Sequence, residues 1–126
     1  MNMLFRMLCF VLLLPTRSGL LKNIDPILSA DLLHVLRSMG HGDKLVICDV
    51  NFPAAEVASK TVSGKHIFLE GVDLPRAIDA VLSLMPLDLF VQVPAVYMAP
   101  QEGSEMPPAG EEVINESAQT ILKHSG

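Results

Sequence analysis

A histidine between two glycines, with carboxylates close behind it, is the part of this chain best suited to proton chemistry. Gly40, His41 and Gly42 precede Asp43, and Asp49 follows a few positions later. Imidazole exchanges protons near neutral pH, which makes His41 a candidate general acid or base. Glycine on both sides lets a ligand approach the backbone closely. On spacing alone, a lone histidine in a loop is most often a surface residue with no role, and Gly40 is explained as the glycine that ends a helix.

Two further interpretations of the ionisable side chains concern a metal and a sugar. His41, Asp43 and Asp49 are residue types that bind divalent metals, but they lack an established ligand spacing, so we expect no metal site. Asp88 follows a predicted helix and is either a turn-forming aspartate or a carboxylate that accepts sugar hydroxyls. The sequence contains no phosphate-binding glycine loop and no nucleophile elbow.

Composition indicates one folded domain rather than a disordered chain. The chain has 126 residues, is 50% hydrophobic and carries a formal net charge of −5, and its mean hydropathy is +0.42. The acidic balance and the absence of a basic run argue against nucleic acid and against an anionic membrane surface as partners. Two cysteines do not suggest a disulfide framework, and Cys48 is predicted to be a small buried residue of a core strand.

Residues 1–19 form an apolar extension that we treat separately from the domain. Its apolar run, residues 7–14, is too short to span a bilayer, which needs roughly 20 residues. The run is either the core of a signal peptide cut near Ser18, which implies secretion, or the product of an alternative start. We expect a cytoplasmic protein, with secretion as the alternative.

The hydrophobic pattern predicts an α/β domain over residues 20–126, with helices layered around a mostly parallel sheet. Helices are expected after the N-caps Ser29 and Asp73 and from Glu111 to Lys123. Strands are expected at residues 44–50, 66–69, 89–93 and 95–98, and residues 54–64 are expected to be irregular. In a parallel sheet a helix returns the chain to another strand, so we expect a sheet that is incomplete at the C-terminus.

Four segments together resemble one known family. They are residues 21–33, Met-Gly-His-Gly-Asp at 39–43, Asp-Val-Asn-Phe-Pro-Ala at 49–54, and Met-Pro-Leu-Asp at 85–88. This combination is similar to the fucose mutarotase and ribose pyranase family, and most of all to its animal fucose mutarotase branch. The resemblance runs from about residue 20 to the end of the chain.

The resemblance implies an isomerase that interconverts the α and β anomers of L-fucose without a cofactor. By similarity, His41 is the proton donor, and Asp49 and Asp88 are carboxylates that contact the sugar. Members of the family form ring-like homo-oligomers with sites near the subunit interfaces, so we expect a homo-oligomer here.

The chain departs from the family pattern in two places. The family continues beyond the position of Gly126 with further strands and a Tyr-Gly-Asn or Tyr-Ala-Asn segment, whereas the only tyrosine here is Tyr97. The family's Arg-Ala-Asp-Gly segment is replaced by residues 68–71, Phe-Leu-Glu-Gly. Together with the added N-terminus, these departures predict either a truncated isoform of a family member or an incompletely predicted gene product. The alternative function is therefore a non-catalytic chain that binds full-length subunits, or sugar without turnover.

Overall fold

The computed structural model describes residues 21–125 and contains four helices in that range. They are α1 (Ala30–Ser38), α2 (Ala54–Ser59), α3 (Leu74–Leu82) and α4 (Pro108–Lys123). The expectations for residues 1–19 lie outside the described residues. Within residues 21–125, no helix is long and apolar enough to cross a membrane.

The starts of α1 and α3 follow from the capping residues that the sequence predicts. The Ser29 side chain accepts a hydrogen bond from the Leu32 N–H, and the Asp73 carboxylate accepts one from the Arg76 N–H. Each cap satisfies a backbone donor that the first helical turn leaves without a partner. Pro75 lies in the first turn of α3, where its missing N–H costs nothing. Both predicted N-caps are confirmed.

The other two helices differ from the expected pattern. The α4 helix begins at Pro108, one turn before the predicted start at Glu111, and it ends at Lys123 as predicted. The segment predicted to be irregular begins with α2, whose N-cap is Pro53 and has no side-chain hydrogen bond. This helix has six residues, no side-chain cap and no clear apolar stripe, so the sequence contains no pattern that predicts it.

The core lies between α1 and α3. It consists of the buried residues Leu28, Leu32, Leu36, Ala80 and Val81. Leu28, just before α1, and Leu32 and Leu36 within α1 are spaced four residues apart, and they pack with Ala80 and Val81 of α3 in one apolar cluster. The α4 helix also packs against α3, so α3 contacts both this core and α4.

The predicted mostly parallel sheet is wrong for the described residues, because residues 21–125 contain no strand. In the segment predicted as the first strand, Leu45 and Ile47 pack against the core. Between them, Val46 is 64% exposed, and Cys48 is exposed rather than buried. The apolar run is thus covered on one side only, as an alternating pattern with period two.

The physical reason is that a strand requires a neighbour. A β-strand is stabilised by hydrogen bonds to an adjacent backbone, whereas a helix satisfies its own backbone groups. Among residues 21–125, the backbone hydrogen bonds outside the helices are all local turns and caps. Leu45, Ile47, Ile67 and Leu69 therefore contribute apolar contacts to the helical core without forming a ladder.

Candidate functional site

The turn that follows α1 places His41 at its tip. Met39 caps α1 in an extended conformation, and the Gly40 N–H donates to Oδ2 of Asp43 at 2.8 Å. Gly42 has a φ of +83°, a backbone conformation that side chains with a Cβ rarely adopt. From the sequence we expected Gly40 to be the glycine that ends the helix. The residue with a positive φ is Gly42 instead.

The structure brings His41 and Asp88 together across 47 positions of sequence. Nδ1 of His41 lies 3.1 Å from Oδ1 of Asp88. The His41 side chain is 75% exposed and that of Asp88 is 22% exposed. The carboxylate is therefore largely shielded from solvent, whereas the imidazole that it contacts is exposed. Both residues were predicted as site residues.

Asp88 is held by the backbone as well as by the imidazole. The Gly42 N–H donates to its Oδ2 at 2.9 Å, and the Phe90 N–H donates to its Oδ1 at 3.0 Å. The Phe90 and Gly42 N–H groups, with a further contribution from His41, lower the pKa of Asp88 below its ordinary value. Because N–H donors favour the charged form, this carboxylate is ionised at neutral pH.

Phe90 is a site residue that the sequence analysis missed. Its ring meets the His41 imidazole edge-on, with centroids 4.6 Å apart and planes at 75°. This T-shaped geometry is a favourable arrangement for two aromatic rings. No motif in the sequence indicated it, because the contact depends on the turn at Asp88 that folds Phe90 back toward the α1 turn.

Asp49, the third predicted site residue, has a local role in the described structure. Its Oδ1 accepts a hydrogen bond of 2.7 Å from the Asn51 N–H, which forms an Asx turn. Among the hydrogen bonds described for residues 21–125, none joins Asp49 to His41 or to Asp88. The structure therefore assembles a two-residue centre, with Asp49 outside its hydrogen-bond network.

The candidate centre is open and gathers few ionisable groups. Within residues 21–125, no group of three or more histidine, cysteine or acidic side chains converges as a metal site does. Two cavities among the described residues lie against α4 instead. One of about 250 Å³ is lined by Tyr97, Pro100, Met106, Glu111, Ile114 and Asn115. What the centre offers chemically is one imidazole with a fixed carboxylate behind it.

Comparison with known proteins finds relatives with names that refer to sugars. The chain is 42% identical over 78 residues to fucose mutarotase from Bos taurus, which covers 62% of this chain and 50% of that protein. It is 34% identical over 93 residues to L-fucose mutarotase from Histophilus somni (strain 2336), covering 74% of this chain and 61% of that protein. The chain thus spans about half the length of the animal relatives that it matches.

A solved structure and a family model agree with these matches. The crystal structure of protein Atu2016, which is proposed to bind sugar, is 43% identical with a TM-score of 0.70, covering 88% of this chain and 74% of that one. The family model described as the RbsD / FucU transport protein family matches residues 22–125. Since that match spans most of the sequence, the chain belongs to the RbsD/FucU family.

Proposed function

We propose that this chain is a mutarotase subunit that interconverts the α and β anomers of L-fucose. The named relatives from cattle and Histophilus somni support the reaction and the sugar. The observation that carries the proposal is the exposed His41 imidazole, whose Nδ1 is bound to Asp88 and whose Nε2 faces away from that carboxylate. An imidazole in this position is suited to exchange protons with a bound molecule.

The chemistry of mutarotation requires a proton donor and a proton acceptor. As the bond between C1 and the ring oxygen breaks, the ring oxygen takes a proton from Nε2 of the protonated His41 ring, which is left neutral, and the C1 hydroxyl gives its proton to a second group that acts as the base. The resulting aldehyde turns about the C1–C2 bond and the ring recloses by the same steps in reverse. Proton transfer by a positioned side chain accelerates such steps roughly 10²–10⁴-fold. Because the two anomers have the same atoms and the same oxidation state, the reaction requires no cofactor.

The two carboxylates are proposed to orient the sugar. Asp49 has one oxygen engaged by the Asn51 N–H, which leaves its other oxygen for a hydroxyl group. Asp88 lies directly at His41, close to where C1 and the ring oxygen must be placed. Hydrogen bonds from hydroxyls to ionised carboxylates are among the stronger ones available to a protein.

We also propose that the subunit forms a homo-oligomer in the cytoplasm. A large share of the apolar side chains between residues 89 and 98 is exposed, and contiguous exposed apolar surface is typical of an interaction site. The exposed large hydrophobic residues in this stretch are Leu89, Phe90, Val91, Val93, Val96, Tyr97 and Met98. Association of like subunits through this stretch would remove it from water.

The test is saturation-transfer NMR on the anomeric protons of L-fucose with the full chain. We expect exchange faster than in buffer, and a loss of that acceleration in His41→Ala of roughly 10²-fold or more. His34→Ala is the matched control, because His34 is an exposed histidine on α1, and it should leave the rate unchanged. A chain that is folded by circular dichroism and gives no acceleration would refute the proposal.

A further inference from the structure

The Asp88 carboxylate makes more hydrogen bonds within the chain than a residue that only binds sugar requires. Its Oδ1 faces both Nδ1 of His41 and the Phe90 N–H, and its Oδ2 accepts from the Gly42 N–H. An ionised carboxylate has about four acceptor positions. Three of them are occupied by the protein itself, so Asp88 retains room for a single hydroxyl at most.

An ionised carboxylate accepts hydrogen bonds and donates none. The ring nitrogen that faces it at 3.1 Å must therefore be the one that carries a proton, which is Nδ1 of His41. In the neutral ring the other nitrogen, Nε2, is then a bare acceptor, and in the protonated ring it is a donor. The side of His41 away from Asp88 is where proton exchange takes place.

We propose that Asp88 is the positioning residue of His41: it holds the neutral imidazole in the Nδ1–H tautomer and so makes Nε2 the proton-exchanging atom. The catalytic consequence rests on the mutarotase function proposed above, whereas the tautomer does not.

The surroundings of His41 support a fixed orientation. The Phe90 ring packs edge-on against the imidazole, and the Phe90 N–H is bound to the same carboxylate oxygen. Asp43, the other acidic residue of this turn, directs its Oδ2 to the Gly40 N–H. Among the described residues, Asp88 is therefore the ionisable group in contact with the imidazole.

A second histidine of the chain provides an internal reference. His124 contacts Asp79 through Nε2, at 2.9 Å from Oδ1. Because the ionised Asp79 carboxylate can only accept, His124 carries its proton on Nε2, which is the opposite tautomer. The protein therefore contains two Asp–His pairs in which the neutral imidazole rings are opposite tautomers.

The experiment is a long-range ¹H–¹⁵N correlation spectrum of the ¹⁵N-labelled full chain at about pH 8, where histidine is mostly neutral. Single His→Gln variants assign the ring signals. We expect the pattern of an Nδ1–H ring for His41 and of an Nε2–H ring for His124. An Nε2–H pattern for His41, or an equal mixture of the two tautomers, would overturn the proposal. The wild-type spectrum alone therefore tests it, before any substitution of Asp88.

Two variants separate a positioning role from a purely structural one. Asp88→Asn should shift His41 toward the Nε2–H tautomer, whereas Asp79→Asn should change His124 and leave the His41 signals as they are. A His41 pattern that is the same in wild type and Asp88→Asn would contradict the assignment.

Kinetics with L-fucose add a readout on the reaction itself. Asp88→Asn should lower kcat at least tenfold, because the carboxylate acts through His41, and should raise KM only as far as the loss of one hydroxyl contact does. A raised KM with kcat unchanged would instead make Asp88 a simple sugar ligand. If the tautomers are as expected but His41→Ala does not affect turnover, the mutarotase proposal fails and the positioning role remains.

Discussion

Nε2 of His124, directly after α4, lies 2.9 Å from Oδ1 of Asp79 in α3. The Lys123 ammonium donates to the same oxygen at 3.0 Å. Hydrogen bonds from His124 and Lys123 lower the pKa of Asp79 below its ordinary value. A single carboxylate thus joins the end of α4 to the middle of α3.

This relationship predicts a pH-dependent contribution to stability. A carboxyl whose pKa is lower in the folded chain stabilises the fold fully above its ordinary pKa, near 3.9, and this contribution is lost as the pH falls from that value through the lower pKa of the folded chain. Asp79→Asn should therefore lower Tm at pH 7 by less than about 5 °C, since the pair is partly exposed. Thermal melts followed by circular dichroism at pH 7 and at pH 3 measure the difference between Asp79→Asn and the wild type, which should be smaller at pH 3.

Glu56→Gln is the matched control for Asp79→Asn. It removes the carboxylate of an exposed pair with Lys60 within one short helix segment, and such pairs contribute little. A decrease in Tm as large for Glu56→Gln as for Asp79→Asn would show that general charge effects, and not the link between α3 and α4, explain the result.

Local features of the fold could be predicted from the sequence, because they depend on neighbouring residues. The Ser29 and Asp73 side chains reach backbone donors a few residues away, so their capping roles follow from residue type and position. The apolar faces of α1 and α3 follow in the same way from helical spacing.

Features that depend on distant residues could not be predicted in this way. Residues 44–50 have the composition of a buried strand, but the described residues offer that strand no neighbour, so the prediction of a sheet failed. His41 and Asp88 were identified as site residues, yet their pairing through Nδ1 depends on a turn near Phe90 that no local pattern predicts.

The turn at His41 predicts different effects for its two glycines. Gly42→Ala should destabilise the fold by about 1–2 kcal/mol, because alanine at a positive φ is strained. Gly40→Ala should have a smaller effect, since the added methyl group would lie 4.0 Å from Oδ2 of Asp43, its nearest neighbour, and the φ is not positive. Urea unfolding of both variants measures the change in the free energy of unfolding. Equal destabilisation by the two substitutions would contradict the described turn.

The Cys48 thiol should react under native conditions, although slowly. Its side chain is exposed, contrary to the buried position that the sequence predicted. Partial desolvation, followed by the neighbouring Asp49 carboxylate, raises the pKa of the thiol. Because the thiolate is the reactive form, the rate should increase with pH into the alkaline range.

The measurement for Cys48 is the rate of reaction with a chromogenic disulfide reagent in a Cys9→Ser background. Asp49→Asn should increase this rate at neutral pH, since it removes the negative charge that disfavours the thiolate. Reaction only after addition of denaturant would show that the thiol is buried in the native protein.

The exposed apolar stretch between residues 89 and 98 is the surface through which we propose that subunits associate. Val96 is 84% exposed within this stretch, whereas Val62 is 110% exposed in a different part of the chain. Burial of a valine side chain contributes about 1.5–3 kcal/mol, so Val96→Thr should weaken association roughly tenfold at each interface. Val62→Thr makes the same chemical change elsewhere and should leave association unchanged. Sedimentation velocity over a range of protein concentrations measures both variants, and an equal effect, or none from Val96→Thr, would place the subunit contact outside this stretch.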